Sequence, residues 1–377
     1  MIDKVSIQNF KVFKDRVDFN NLKGLNFLTG INGRGKSTML QAFVALSQSL
    51  KENSNLDLLC LNGDMVNLGN AIDVKNEDVS RENNIVLGFV YDEIQYDFFF
   101  SVGSDNEQAL NLKEIKINGN QSSVESGELD KIFKLFRDLI FISAERIGPK
   151  LHYDFCNDTR NIGSRGEYVA CAFYNHKDDV VNSTIIDGIL DVFPEINMES
   201  IDWSFAGQVQ FWLSQMFRPT YINAEYIDSV NEYTLQFGAP DRRGKYKPTN
   251  VGFGYSYVLP IIVAALLANS GNILIIENPE AHLHPFAQSI LSKFLTLISK
   301  TGVQIFIETH SEHIINAPRV MIVQESFQSE DMSILYFDEI YSSKHISVDI
   351  LPNGEIDEWP QGFFDQSEID NDIILGL

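Results

Sequence analysis

Gly30-Ile31-Asn32-Gly33-Arg34-Gly35-Lys36-Ser37-Thr38 is the stretch that decides how this chain is read. It fits the spacing G-x-x-x-x-G-K-[ST]. An apolar run, Leu25-Asn26-Phe27-Leu28, precedes it, and in the stretch after it Leu40, Phe43, Leu46 and Leu50 share one helical face. Glycines are needed here because the backbone must turn tightly and aim successive N–H groups at phosphate oxygens, where a Cβ would intrude. Within such a strand–loop–helix unit Lys36 reaches the β- and γ-phosphates and the Ser37 hydroxyl ligates Mg2+. The helix N-terminus adds its dipole. The nucleotide-binding set read from this loop is Gly30, Asn32, Gly33, Gly35, Lys36, Ser37 and Thr38.

Outward from the loop, residues 4–28 alternate as strands do, through Val5 and Ile7, then Val12, Val17 and Phe19. Residues 51–80 are polar and irregular and read as a surface insertion. From 85 to 117 the pattern is a β-meander, ending at the hairpin-type dipeptide Asn118-Gly119. A helix is expected near 128–135 and a short buried strand at 139–142. Residues 150–220 show helical spacing (Ile185, Ile189, Val192; Val209, Trp212, Met216) and read as a helical lobe inserted between strands. Apolar β-runs return at 221–237. A helix at 256–268, a strand at 273–276, a helix at 285–300 and strands at 303–307 and 320–323 follow. Strands alternating with helices imply right-handed crossovers and a parallel sheet. The class is α/β with a mixed sheet. The expected organisation is an ATPase lobe with phosphate loop and meander at 1–149, a helical insertion at 150–220, a second nucleotide-site lobe at 221–330 and a strand-rich extension at 331–377.

A phosphate loop needs a second strand whose carboxylate completes the metal shell. Ile273-Leu274-Ile275-Ile276-Glu277 supplies four apolar residues ending in an acid, and Asn278-Pro279-Glu280-Ala281-His282-Leu283-His284-Pro285 follows. Glu277 is the expected Mg2+ and water ligand, alongside Ser37. Glu280 either polarises the attacking water or is an ordinary charge at a helix start. His282 and His284 lie two apart with no Cys or third ligand nearby, so a structural or dimer-facing role fits them better than a metal. The next strand ends in Glu308-Thr309-His310-Ser311, which puts His310 at the C-terminal end of a parallel strand, where such sheets bind ligands and where it could report hydrolysis.

Composition narrows the classes. The 377 residues carry a net charge of −23, which argues against the whole surface serving as a nucleic-acid platform. One basic strip remains, Arg242, Arg243, Lys245 and Lys247, with Arg160 and Arg165 elsewhere. The hydrophobic fraction of 44% excludes wholesale disorder. The longest apolar run, 257–268, is too short for a bilayer, so no membrane is expected. The opening residues lack a signal-peptide core, and three scattered cysteines (Cys60, Cys156, Cys171) fit a reduced cytoplasmic protein.

Several motifs, taken in order, resemble ABC-type ATPases of the RecF/SMC/OLD kind. Ile7-Gln8-Asn9-Phe10-Lys11-Val12-Phe13 looks like the family's opening strand, and Gly30-x-Asn32 like its phosphate loop. Ile142-Ser143-Ala144-Glu145-Arg146-Ile147-Gly148-Pro149, Gly252-Phe253-Gly254-Tyr255-Ser256, the run Glu277–Pro285 and Trp359-Pro360-Gln361-Gly362-Phe363-Phe364-Asp365 resemble a bacterial defence-associated subgroup. The resemblance implies a unit that dimerises head to tail, with ATP and Mg2+ held between the phosphate loop of one copy and a signature segment of the other. Gly254 and Ser256 suit that segment, since glycines allow close approach and a serine at a helix start offers hydroxyl and N–H groups to a γ-phosphate. Glu145 and Arg146 fall where these ATPases place a γ-phosphate-sensing loop, although a Gln is usual there.

Asn278 occupies the position of the usual catalytic Glu, which implies slow hydrolysis with ATP as clamp or switch. Nothing after His310 resembles a Toprim nuclease core, and no heptad stretch could build an SMC arm. The expectation is therefore a homodimeric ATPase switch controlling a separate effector, a nuclease or toxin, in bacterial anti-phage defence. Two alternatives stand beside it. One is a repair ATPase gripping DNA through the basic strip; the other is an ATP-binding scaffold with little turnover.

Overall fold

A computed structural model describes residues 1–103, 107–123, 127–238, 244–338 and 345–375. Three sheets organise them. The first is antiparallel and contains β1 (Ile2–Gln8), β2 (Val17–Phe19), β4 (Leu58–Cys60), β5 (Ile85–Tyr91), β6 (Ile94–Ser101) and β7 (Ala109–Ile117), in the order β2-β1-β5-β6-β7-β4, with β8 (Asn120–Ser122) pairing β7. The second, central sheet contains β3 (Leu25–Gly30), β9 (Ile140–Ile142), β14 (Ile273–Glu277), β15 (Gln304–Glu308), β16 (Met332–Phe337) and β17 (His345–Val348). Its order is β17-β16-β3-β15-β14-β9, parallel throughout except for β17. The third is small: β10 (Tyr153–Asp154), β11 (Tyr221–Ile227), β12 (Glu232–Gly238) and β13 (Lys245–Tyr246).

The helices are α1 (Lys36–Glu52), α2 (Ala71–Val74), α3 (Asp130–Arg137), α4 (Val169–His176), α5 (Ser183–Asp187), α6 (Ile189–Val192) and α7 (Phe205–Met216). They continue with α8 (Phe253–Leu267), α9 (Pro285–Ser299), α10 (Glu312–Val323) and α11 (Gln366–Leu375).

The central sheet is buried on both faces, and the two-residue period of a strand divides its side chains between two cores. Ile273, Ile275, Phe306, Leu335 and Phe337 join the core made with α1, α3 and the meander. Leu274, Ile276, Ile305, Ile307 and Ile334 join the core made with α4, α7, α8 and α9. On the first side an aromatic group locks α1 in place: Phe43 lies 4.9 Å from Phe306 and 5.2 Å from Phe89, centroid to centroid. That packing fixes the start of α1 beside the end of β15.

Four expectations need correction. Residues 320–323 form no strand; they end α10, where Met321 and Ile322 point inward and Val320 and Val323 outward. A run of Val-Met-Ile-Val reads as β only when the preceding turns are ignored. Residues 51–80 are not a mere surface insertion, because Leu56, Leu59, Leu61, Leu68, Ala71 and Val74 are buried in the meander core, and β4 pairs β7. Val12 lies in a turn and is 44% exposed. Finally, Cys156 and Cys171 form a disulfide, which overturns the reduced-cysteine reading. Folding α4 back onto β10 brings together two cysteines fifteen residues apart.

The 331–377 segment contributes β16 to the central sheet directly beside β3. The Trp359–Asp365 string then folds over it. Phe363 is buried with its ring centroid 5.5 Å from that of Tyr336, whose hydroxyl donates to the Gln361 carbonyl at 3.2 Å.

Candidate ATP site

The loop after β3 is built as its glycines require. Gly30, Gly33 and Gly35 have φ of 120°, 77° and 111°, all left-handed. A Cβ on Gly30 would collide with the Phe337 backbone of β16, and one on Gly35 with the ring of Phe13. Lys36 is buried (3% exposed), and its Nζ donates to the carbonyls of Gly30 and Ile31, both at 2.9 Å. Burial lowers its pKa, and Glu308 opposes the shift. Those two carbonyl bonds are what a triphosphate would replace.

Ser37 Oγ donates to Glu308 Oε1 at 3.0 Å, so the carboxylate nearest the serine lies on β15 rather than β14. Glu277 is one strand further over, paired in register with Glu308. Glu277 Oε2 accepts from the backbone N–H of Ala144 at 3.1 Å. Burial raises the pKa of both acids. Glu308 is pushed up to about 7, with Glu277 adding to the shift and the Ser37 bond countering it. Glu308 Oε2 is buried without a hydrogen-bond partner.

A buried carboxylate (Glu308) and a half-buried one (Glu277) on adjacent strand ends, one oxygen unsatisfied and a serine hydroxyl beside them, form a hard oxygen set that a divalent cation would neutralise. These residues fit Mg2+. Among the described residues no cluster of three His, Cys, Asp or Glu could hold a metal. Ser37, Glu277 and Glu308 would therefore share the ion with phosphate and water.

Glu308 was missed by sequence reasoning. The signal was available: Gln304-Ile305-Phe306-Ile307-Glu308 repeats the apolar-run-then-acid pattern of 273–277.

Glu280 is tied to the end of β15. Its Oε2 accepts from Thr309 Oγ1 and its Oε1 from the His310 N–H, both at 2.8 Å. The His310 pKa is lowered, by partial burial first and by Lys36 second, with Glu280 opposing the shift. Asn278 is left-handed (φ 43°), and its N–H donates to the Glu308 carbonyl at 2.8 Å. His284 caps α9, with Nδ1 accepting from the Phe286 N–H at 3.3 Å.

Arg146 is buried. It donates to the carbonyls of Ser143 (2.9 Å), Glu277 (2.7 Å) and Asn278 (2.7 Å), while Glu145 is exposed. Gly254 and Ser256 lie in the first turn of α8. A Cβ on Gly254 would sit 3.0 Å from the His282 carbonyl. Ser256 is 5% exposed, and its hydroxyl has no hydrogen-bond partner. It faces inward rather than outward from the helix start. Lys245, on β13, and Lys247, just after it, are exposed, whereas Arg242 and Arg243 lie outside the described residues.

Residues 1–162 and 197–315 match the family model of the AAA ATPase domain; the chain belongs to that family and is an ATPase. Residues 328–373 match a second model, a protein of unknown function (DUF3696). Among solved structures the chain is similar to an SMC head bound to the C-terminal winged-helix domain of ScpA. That match has 11% identity over 92% of this chain and 98% of that one, with a TM-score of 0.52. An SMC head with an extended coiled coil bound to the C-terminal domain of ScpA derived from Pyrococcus furiosus matches at 11% identity, over 99% of both chains, with a TM-score of 0.48. The SMC head domain from Thermotoga maritima matches at 12% identity over 93% and 99%, with a TM-score of 0.45. The fold is thus the mixed α/β fold of ABC-type, SMC-head-like ATPases. No curated protein matches the chain in sequence. No helix among the described residues is long and apolar enough to cross a membrane.

Proposed function

We propose that this ATPase is a nucleotide-driven switch, a head-to-tail homodimer that controls a separate effector, a nuclease or toxin, in bacterial anti-phage defence. The observation that carries the ATP-dependent part is the meeting of Lys36, Ser37, Glu308 and Glu277 at the C-terminal ends of β3, β15 and β14. In this reading Gly30, Asn32, Gly33, Gly35 and Thr38 line the triphosphate, and Lys36 leaves its two carbonyls for phosphate oxygens. A bound Mg2+ would supply charge neutralisation for the leaving phosphates. Glu280 orients the attacking water, with its carboxylate held by Thr309 and His310, so that loss of the γ-phosphate is felt along β15. Asn278 in place of an acid makes that step slow. Gly254 lets the start of α8 approach the partner's γ-phosphate, whereas the Ser256 hydroxyl, buried and turned inward, reaches an acceptor there only when the first turn of α8 shifts on docking.

The effector part rests on the motifs shared with the defence-associated subgroup. A duplex-binding reading would use Lys245, exposed on β13, and Lys247, exposed just after it. Sedimentation with and without Mg2+·ATP, followed by turnover, tests the switch. The wild type should dimerise only with nucleotide. Glu280→Gln should slow turnover by about 100-fold and hold the ATP dimer. Unaltered turnover removes Glu280 from the mechanism, and ATP-independent association removes the switch. Salt-dependent duplex binding that vanishes in Lys245→Ala/Lys247→Ala would favour the DNA reading.

A further inference from the structure

The loop after β9, the loop after β14 and the start of α8 meet at one side chain. Arg146 is only 3% exposed and forms no ion pair with a carboxylate among the described residues; Nη1 donates to the carbonyls of Ser143 and Glu277 and Nη2 to that of Asn278, while Nε is buried without a hydrogen-bond partner. Glu277 is the last residue of β14 and carries the carboxylate paired in register with Glu308; Asn278 follows it, held in the left-handed region. The Arg146 guanidinium also stands 5.5 Å from the ring centroid of Tyr257, on α8. Tyr257 in turn meets the His282 ring edge to face at 4.4 Å, and the His282 carbonyl abuts Gly254. A buried cation that satisfies three carbonyls and lies over an aromatic ring is fixed in position, because moving it would strand each of those groups. The guanidinium fork suits this task, since its planar donors reach two consecutive carbonyls at once, which a lysine ammonium cannot do with the same geometry.

We propose that Arg146 is a positioning residue that clamps the Glu277–Asn278 backbone to Tyr257, so that the acidic end of β14 and the start of α8 are set as one unit. The clamp gives the γ-phosphate end of one site a rigid path to the helix that faces the partner's site. This route rests on the proposed dimeric reading, while the clamp itself is a property of one chain. It also means that Arg146 does not touch nucleotide, unlike the sensing role implied by its place in the sequence.

The test compares Arg146→Met, Arg146→Lys, Tyr257→Leu and Tyr257→Phe for ATP affinity, turnover and ATP-dependent sedimentation in the full chain. Arg146→Met should lower kcat by about 10–100-fold, as loss of a supporting contact behind a ligand does, with ATP Kd unchanged. Arg146→Lys should recover little, because it cannot bridge both carbonyls. Tyr257→Leu keeps every Arg146 hydrogen bond. It should weaken the ATP-dependent dimer while leaving monomer ATP affinity intact, and Tyr257→Phe, which keeps the ring, should restore the dimer.

Should Arg146→Met fail to fold, the Tyr257 pair decides. Equal dimerisation in Leu and Phe variants overturns the coupling, as does wild-type kcat in Arg146→Met. A rise in ATP Kd matching the fall in kcat would make Arg146 a nucleotide contact and overturn the clamp. If the wild type itself neither binds ATP nor dimerises with it, the dimer reading fails instead, a result distinct from any of these.

Discussion

Two helices of this molecule begin at a glycine beside the nucleotide region, and they begin differently. Before α1, Gly35 is left-handed and closed over by Phe13, and the next two side chains are already engaged, Lys36 with loop carbonyls and Ser37 with Glu308. Before α8, Gly252 has open space around it, Phe253 is 55% exposed, and the Ser256 hydroxyl is buried without a partner. A helix start with satisfied side chains is finished within its own chain. One with an orphan hydroxyl and an exposed aromatic ring lacks something, since buried polar groups are normally paired. In the proposed dimer, the difference separates a half-site that needs only ATP from one that needs a second molecule.

Three changes sharpen or break that contrast. The largest effect is expected at the finished end. Lys36→Ala should cost on the order of 100-fold or more in ATP affinity, because it removes a charge-assisted donor to phosphate, and calorimetry with wild-type affinity would refute the phosphate-loop assignment. At the unfinished end, Gly254→Val should leave monomer ATP affinity intact. The ATP-dependent dimer should weaken about tenfold, since a side chain there pushes α8 from the His282 carbonyl and the Phe217 ring, and sedimentation at graded concentrations reads it.

The third change concerns the proton on Glu308. Its folded-state pKa of about 7 lies above the ordinary glutamate value of 4.5 because of burial. The unfolded chain therefore ionises first, and apo stability from this group is full below about pH 4.5, falls as pH rises toward 7 and is flat above. Glu308→Gln should remove that slope, on the order of 1–3 kcal/mol, in melts of the nucleotide-free protein across this range. An unchanged slope would show that Glu308 is ionised throughout.

What the sequence made legible follows its periodicity. The strand–loop–helix at 25–52, the meander at 85–117 and the alternation from 253 to 308 were readable because their apolar residues keep a period of 2 or 3.6 and their turns carry glycine or asparagine. Residues 51–80 failed that test, because their buried leucines are spaced by loops and owe their burial to β7 and α1 rather than to any local repeat. The Cys156–Cys171 pairing was hidden for the same reason, as a product of tertiary folding. In the site, Lys36, Ser37 and Glu277 were named from spacing alone. Glu308 is masked by the more distinctive histidine two residues later, and the carbonyl-directed role of Arg146 is hidden because its motif position suggests a ligand where the fold supplies backbone.

The most direct test of the account asks whether Lys36 and Glu277 serve the same metal–triphosphate. ATP affinity would be measured with and without Mg2+ for the wild type and for Glu277→Gln, leaving Lys36 in place. The account predicts that Mg2+ tightens ATP binding in the wild type and does so far less in the variant, while metal-free ATP binds both equally. The same Mg2+ enhancement in both proteins would contradict it.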